Sequence, residues 1–166
     1  MTAQIRDALK YNGETYFLAS EPLREYLYQE GIEFSGFTTA CWRGYVATWE
    51  IKADKLFMVS MRGNIKEGKK VDLSYLFPDQ SEVFAEWFTG EIKIPHGELL
   101  EYVHMGYGSV YEKEMYLSFE KGVLCERKEL DNRKKYENEK QQKVDTGIGN
   151  QSSKKSFLQK LFRLWS

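Results

Sequence analysis

Along the first 130 residues the dominant pattern is alternation of apolar and polar positions with a period of two, which predicts strands rather than helices. Asn12-Gly13 lies between the apolar segments 9–11 and 15–18, and that dipeptide adopts the positive φ angles of a tight hairpin turn, so a first hairpin is expected there. A short helix should follow, with Ser20 as its cap, Pro22 in its first turn and Gly31 as its stop, burying Leu23, Tyr26 and Leu27. From residue 37 the twofold period returns, most clearly at 45–52, where Tyr45, Ala47, Trp49 and Ile51 share one face. A polar turn at 52–55 leads into 56–61, apolar on both faces as a covered central strand would be. Residues 62–70 read as a charged loop, and 71–78 as a turn or two of helix ended at Pro78. Residues 83–94 alternate with Phe88, Ile92 and Ile94 inward, and Gly90 marks a bulge. Pro95-His96-Gly97 has turn chemistry, which makes 99–103 a returning strand. Residues 115–119 and 123–127 form a last hairpin around a three-residue loop, Glu120-Lys121-Gly122.

About eight strands in neighbouring hairpins predict an α+β fold. Its centre is a mainly antiparallel sheet, as a hairpin meander or open barrel, with one or two short helices. This is not the βαβ pattern of nucleotide-binding folds. The organisation expected is a β-rich globular domain at 1–130, a polar linker or solvated helix extension at 131–153, and a C-terminal amphipathic basic helix at 154–166. In that last segment Phe157, Leu158, Leu161, Phe162, Leu164 and Trp165 fall in one arc at about 100° per residue, opposite Lys155, Gln159, Lys160 and Arg163. Such a helix needs an apolar surface to fold on. The candidates are an anionic membrane, a groove on a partner, and the acidic body of the chain itself.

Charge sharpens the picture. The formal net charge is -1, but residues 154–166 hold four cationic side chains and no acid, so the first 153 residues sit at -5. An acidic body lacks the basic face that phosphate backbones require, and nucleic acid is therefore not expected as a partner. Two cysteines without a Cys-x-x-Cys pair point to reduced thiols in the cytoplasm. The sequence shows neither a signal-peptide h-region nor an apolar run long enough to span a bilayer, so a cytoplasmic protein, peripheral on the inner membrane face through 154–166, is expected.

Two clusters carry candidate chemistry. Residues 102–112 read Tyr-Val-His-Met-Gly-Tyr-Gly-Ser-Val-Tyr-Glu, with Tyr102, His104, Tyr107, Ser109, Tyr111 and Glu112 as a candidate binding loop loosened by Gly106 and Gly108. An enzyme would use His104 as base, oriented by Glu101 or Glu112, with Ser109 as nucleophile. The bland alternative is a core histidine beside a glycine bulge. The Gly-x-Gly spacing lacks the third glycine and the strand-to-helix setting of a dinucleotide loop. His96 and His104 alone are too few for zinc, so neither metal nor cofactor is expected. The second cluster is Cys41-Trp42-Arg43-Gly44-Tyr45, where Cys41 reads as a small buried thiol and Trp42, Arg43 and Tyr45 as a candidate interface.

The segments at 41–51 (CWRGYVATWEI), 87–90 (WFTG) and 102–112 resemble a family of small uncharacterised bacterial proteins over roughly residues 10–130. That family has no assigned reaction, so the resemblance implies no catalytic role. Small proteins of this kind include immunity and accessory binding proteins. The expected function is a non-enzymatic binding protein whose partner is another protein, toxin neutralisation being its most concrete version. The competing class is a small hydrolase or transferase using His104 with Ser109, Tyr107 or Glu112.

Overall fold

A computed structural model of the chain describes residues 2–144. The chain divides into two units, one ending at Asp131 and one beginning at Asn132. The first contains β1 (Ala8–Tyr11), β2 (Glu14–Phe17), α1 (Arg24–Glu30), β3 (Tyr45–Lys52), β4 (Lys55–Asn64), β5 (Lys70–Asp72), α2 (Leu73–Leu76), β6 (Val83–Phe84), β7 (Gly90–Glu101), β8 (Val110–Glu120) and β9 (Val123–Asp131). Its nine strands form one open sheet in the order β2-β1-β3-β4-β9-β8-β7, with β5 and β6 also paired to β4. Every pairing is antiparallel except that of β1 with β3. The expected α+β class is thus the architecture found. In the second unit residues 133–144 are helical, with Lys135 Nζ 3.9 Å from Glu139 Oε1. The amphipathic segment 154–166, with Phe157 to Trp165, and the remainder of the expected linker lie outside the described residues.

The alternation explains the sheet. Tyr45, Ala47 and Trp49 of β3 are buried, as are Ile92 and Ile94 of β7 and Met115, Leu117 and Phe119 of β8. Leu18 and Leu23 close over this face from the segment between β2 and α1. The central strand expected at 56–61 lies within β4, which pairs with four others. Asn12-Gly13, Ala53-Asp54 and Lys121-Gly122 make two-residue turns with positive φ at both positions, as tight hairpins between right-twisted strands demand.

Several local expectations are corrected. Ser20 does not cap α1. Leu23 occupies the cap position with no side-chain bond, while Ser20 Oγ accepts from the Lys93 N–H at 2.8 Å and so holds the chain against β7. Gly31 does stop the helix, in a left-handed conformation. Residues 38–44 form turns, not strand, and β3 begins at Tyr45. The last hairpin turn contains two residues, not three. The alternation across 83–94 is broken at 85–89, because β6 pairs only briefly with β4 before the chain crosses to β7. Gly90 is not a bulge but pairs with Phe119.

Pro95-His96-Gly97 is not a turn either. β7 continues through it to Glu101, and the returning strand is β8. An edge strand tolerates the missing proline N–H. Gly97, at φ 79, absorbs a register shift where an added Cβ would lie 2.9 Å from Glu112 Oε2. The true connection is therefore 102–109, the loop expected to bear chemistry.

Gly122 shows how tightly the turns are built in. Its φ is 77, its N–H donates to Phe88 O and its carbonyl accepts from the Leu56 N–H, and an added Cβ would lie 2.5 Å from Ala85 O. Gly68, at φ 73, has nothing within 4 Å of that position. Gly68→Ala should cost about 1 kcal/mol of backbone strain alone, and Gly122→Ala clearly more, because backbone must also move. Urea unfolding midpoints at constant m-value check the ranking.

Candidate functional site

The two sequence clusters meet across the N-terminal segment. Residues 2–7 run between the turns at 38–42 and the loop at 102–109. Ile5 N–H donates to Ala40 O at 2.8 Å, Gln4 N–H to Gly106 O at 3.2 Å, and Gln4 Oε1 accepts from the Trp42 N–H at 3.0 Å. Alternation then sends the Asp7 side chain inward, two positions before buried Leu9, where it has no solvent exposure.

Asp7 is the hub. Oδ1 accepts from Arg43 Nη2 at 2.5 Å and from the Ala47 N–H at 2.9 Å, and Oδ2 accepts from Trp49 Nε1 at 3.0 Å. Burial pushes its carboxyl above the ordinary aspartate value, while Arg43 and the Ala47 and Trp49 N–H groups pull it back. All these contacts are donors, so the neighbours match an ionised carboxylate.

Arg43 extends the network outward. Its Nε donates to Tyr45 O at 2.8 Å, and its Nη1 donates to the Tyr107 hydroxyl and lies 3.7 Å from Glu21 Oε1. Tyr107 in turn donates to Glu21 Oε1 at 3.1 Å. Arg43 also stacks over the Tyr45 ring at 5.0 Å. Gly44 permits this path. At φ 76 it places its Cα where an added Cβ would lie 2.6 Å from Ser35 backbone atoms.

Burial is the largest cause raising the phenols of Tyr45 and Tyr107 well above their ordinary value of 10.0, with Asp7 and Glu21 adding to it and Arg43 opposing it. The Tyr45 hydroxyl is buried without a hydrogen-bond partner among the described residues. Beside Tyr45 and Arg43, a groove of about 800 Å³ opens against α1, lined also by Glu21, Tyr28, Glu33 and Trp42. Tyr28 is 88% exposed and Trp42 52%.

The structure thus brings Arg43, Tyr45 and Tyr107 together, and with them Trp42 at the groove. It does not assemble the His104 set. Ser109 Oγ accepts from the Val103 N–H at 3.0 Å and donates to Val103 O at 3.3 Å, closing the loop on itself. His104 Nδ1 lies 2.9 Å from the hydroxyl of exposed Tyr102, and Glu112 Oε2 accepts from the Glu98 N–H at 3.2 Å. Tyr111 instead lies under the guanidinium of Arg6, at 5.2 Å. Cys41 is buried, its thiol donates to Tyr45 O at 3.4 Å, and burial pushes it up, the opposite of what a nucleophile needs. Among the described residues no three His, Cys, Asp or Glu side chains gather in a metal-binding group.

Sequence reasoning missed Asp7, Glu21, Tyr28 and Glu33. One signal existed for Asp7, an acid in phase with Leu9 on a strand. Comparisons of the chain with family models, curated proteins and solved structures gave no match.

Removing one partner of a buried pair leaves an uncompensated charge. Asp7→Ala should therefore lower stability by about 3–5 kcal/mol, and Asp7→Leu/Arg43→Met should recover much of that loss, both read from urea midpoints. Tyr45→Phe removes a buried hydroxyl without a partner, and should leave stability unchanged or raise it by up to about 2 kcal/mol. Because the raised phenols of Tyr45 and Tyr107 stay protonated when folded but ionise from pH 10.0 when unfolded, stability present below that pH should fall as pH rises above it, less steeply in Tyr45→Phe.

Proposed function

We propose that this is a non-enzymatic protein-binding module that recognises its partner through the groove between α1 and the Trp42-Arg43-Tyr45 segment. The supporting observation is the pairing of exposed aromatic side chains with a carboxylate rim. Tyr28 and Trp42 stand exposed beside Glu21 and Glu33 on a groove whose floor is held by the Asp7–Arg43 pair. Trp and Tyr are among the residue types that dominate binding energy at interfaces. The groove is lined by Glu21 and Glu33 against Arg24, while the charge of Arg43 is taken up by Asp7, so the rim leans acidic and favours a basic partner.

Toxin neutralisation is the concrete version. A toxin that acts on nucleic acid must display cationic side chains to phosphates, and an acidic, aromatic groove is complementary to such a face. The hydrolase reading has less support, since Ser109 is tied to its own loop and His104 contacts Tyr102. Among the described residues no helix is long and apolar enough to cross a membrane. A cytoplasmic setting, with the basic 154–166 segment adding a membrane or partner contact, belongs to the same proposal.

A photo-crosslinking residue in place of Tyr28 should capture a basic protein from cells. Trp42→Ala and Glu33→Lys should each reduce that capture at least about tenfold, and His104→Ala should leave it unchanged. Capture that depends on His104 and not on Trp42 would move recognition to the 102–109 loop and reject the groove.

A further inference from the structure

Arg6 and Arg43 are the two half-buried arginines of the β unit, and they are treated differently. Arg43 has Asp7 and Glu21 within 3.7 Å. Arg6 has no carboxylate within ion-pair distance among the described residues, and its guanidinium instead lies 5.2 Å from the Tyr111 ring centroid and 5.8 Å from that of Tyr107. Residues 1–131 carry 15 Lys and Arg against 22 Asp and Glu, so an unpaired, half-buried cation is not for want of acids.

Arg6 opens onto its own cavity. This space of about 410 Å³ lies where the end of β2 meets β7, and is lined also by Thr15, Tyr16, Phe17, His96 and Tyr111. It shares Gln4 with the groove but none of the groove's aromatic rim. His96 packs edge-on to Tyr16 at 5.8 Å, and its buried Nε2 has no hydrogen-bond partner among the described residues. Its Nε2 is 3.9 Å from Glu129, which Lys113 also approaches at 3.8 Å.

We propose that this cavity binds a small organic carboxylate with an apolar body. A guanidinium fork matches a planar carboxylate bidentately. One arginine in an acidic domain suits a monoanion and disfavours phosphate, whose two charges would meet a single guanidinium in a cavity where Gly97 adjoins Glu112 and His96 adjoins Glu129. His96 and the Thr15 hydroxyl offer further polar contacts, while Tyr16, Phe17 and Tyr111 provide walls for a flat or aliphatic body. The volume is that of a small-molecule pocket. This site stands apart from the groove, and either can fail without the other.

The test is an NMR titration of the labelled full-length chain with 3-phenylpropionate. Saturable shifts at the Arg6 Nε–H and the Thr15 and His96 amides are expected, with a Kd on the order of 1 mM. The neutral amide, 3-phenylpropionamide, should bind at least about tenfold more weakly, and inorganic phosphate should not compete. Arg6→Lys keeps the charge but not the fork, and should weaken carboxylate binding about tenfold while the spectrum stays dispersed; Arg6→Gln should weaken it further. No saturable shift up to about 20 mM, equal binding of the amide, displacement by phosphate, or unchanged affinity in Arg6→Lys would each overturn the proposal.

Discussion

A carboxylate with no access to water must be surrounded by donors before a chain can close over it, and in this protein that requirement falls on Asp7. The groups that meet there come from three places in the chain. Ala47 and Trp49 belong to β3, Arg43 to the turn before it, and Asp7 itself to the segment leading into β1. Satisfying one side chain therefore fixes the parallel pairing of β1 with β3, the direction of the 42–45 turn and the path of the N-terminal segment. A buried ion pair of this kind contributes little net stability over apolar packing. Its effect is to make other arrangements expensive, since each would strand a charge.

The consequence reaches the surface through Arg43. With one end of its guanidinium on Asp7, the other faces Tyr107 and Glu21, which pins the 102–109 loop and the entrance to α1 around one cation. The groove beside α1 is thus built on a polar anchor instead of on loop packing alone. That is an arrangement suited to recognition, where affinity depends on side chains already held in place. The same network keeps Tyr107 away from His104, so the residues that looked catalytic as a string are divided between an anchor, a loop closure and an exposed pair.

What could be read from the sequence follows from the range of the interactions involved. Strand positions, the Asn12-Gly13 turn and the end of α1 at Gly31 depend on neighbours within a few residues, and local patterning was enough to find them. Pro95-His96-Gly97 misled because turn chemistry and an edge-strand bulge use the same residues, and only the sheet order shows that β7 is an edge strand. Ser20 misled for a related reason. Its hydroxyl had two possible N–H partners, the local helix start and the distant Lys93, and the distant one holds it. Asp7 stayed hidden because an acid in phase with a buried leucine has meaning only beside a cation 36 residues away.

The two half-buried arginines show why partner accounting says more here than residue type. Arg43 looked like an interface residue next to Trp42, yet most of its donors are taken inside the protein, and what it lends the groove is rigidity. Arg6 sits one residue from the hub and attracted no notice in the sequence, but among the described residues its charge is met by tyrosine faces and no acid. Alternation along the strand explains the split. Asp7 turns into the core, so Arg6 must turn the other way, toward β2 and β7. The geometry that closes the core over a carboxylate thereby leaves a guanidinium facing a cavity, and the internal anchor and the open site are two sides of one extended segment.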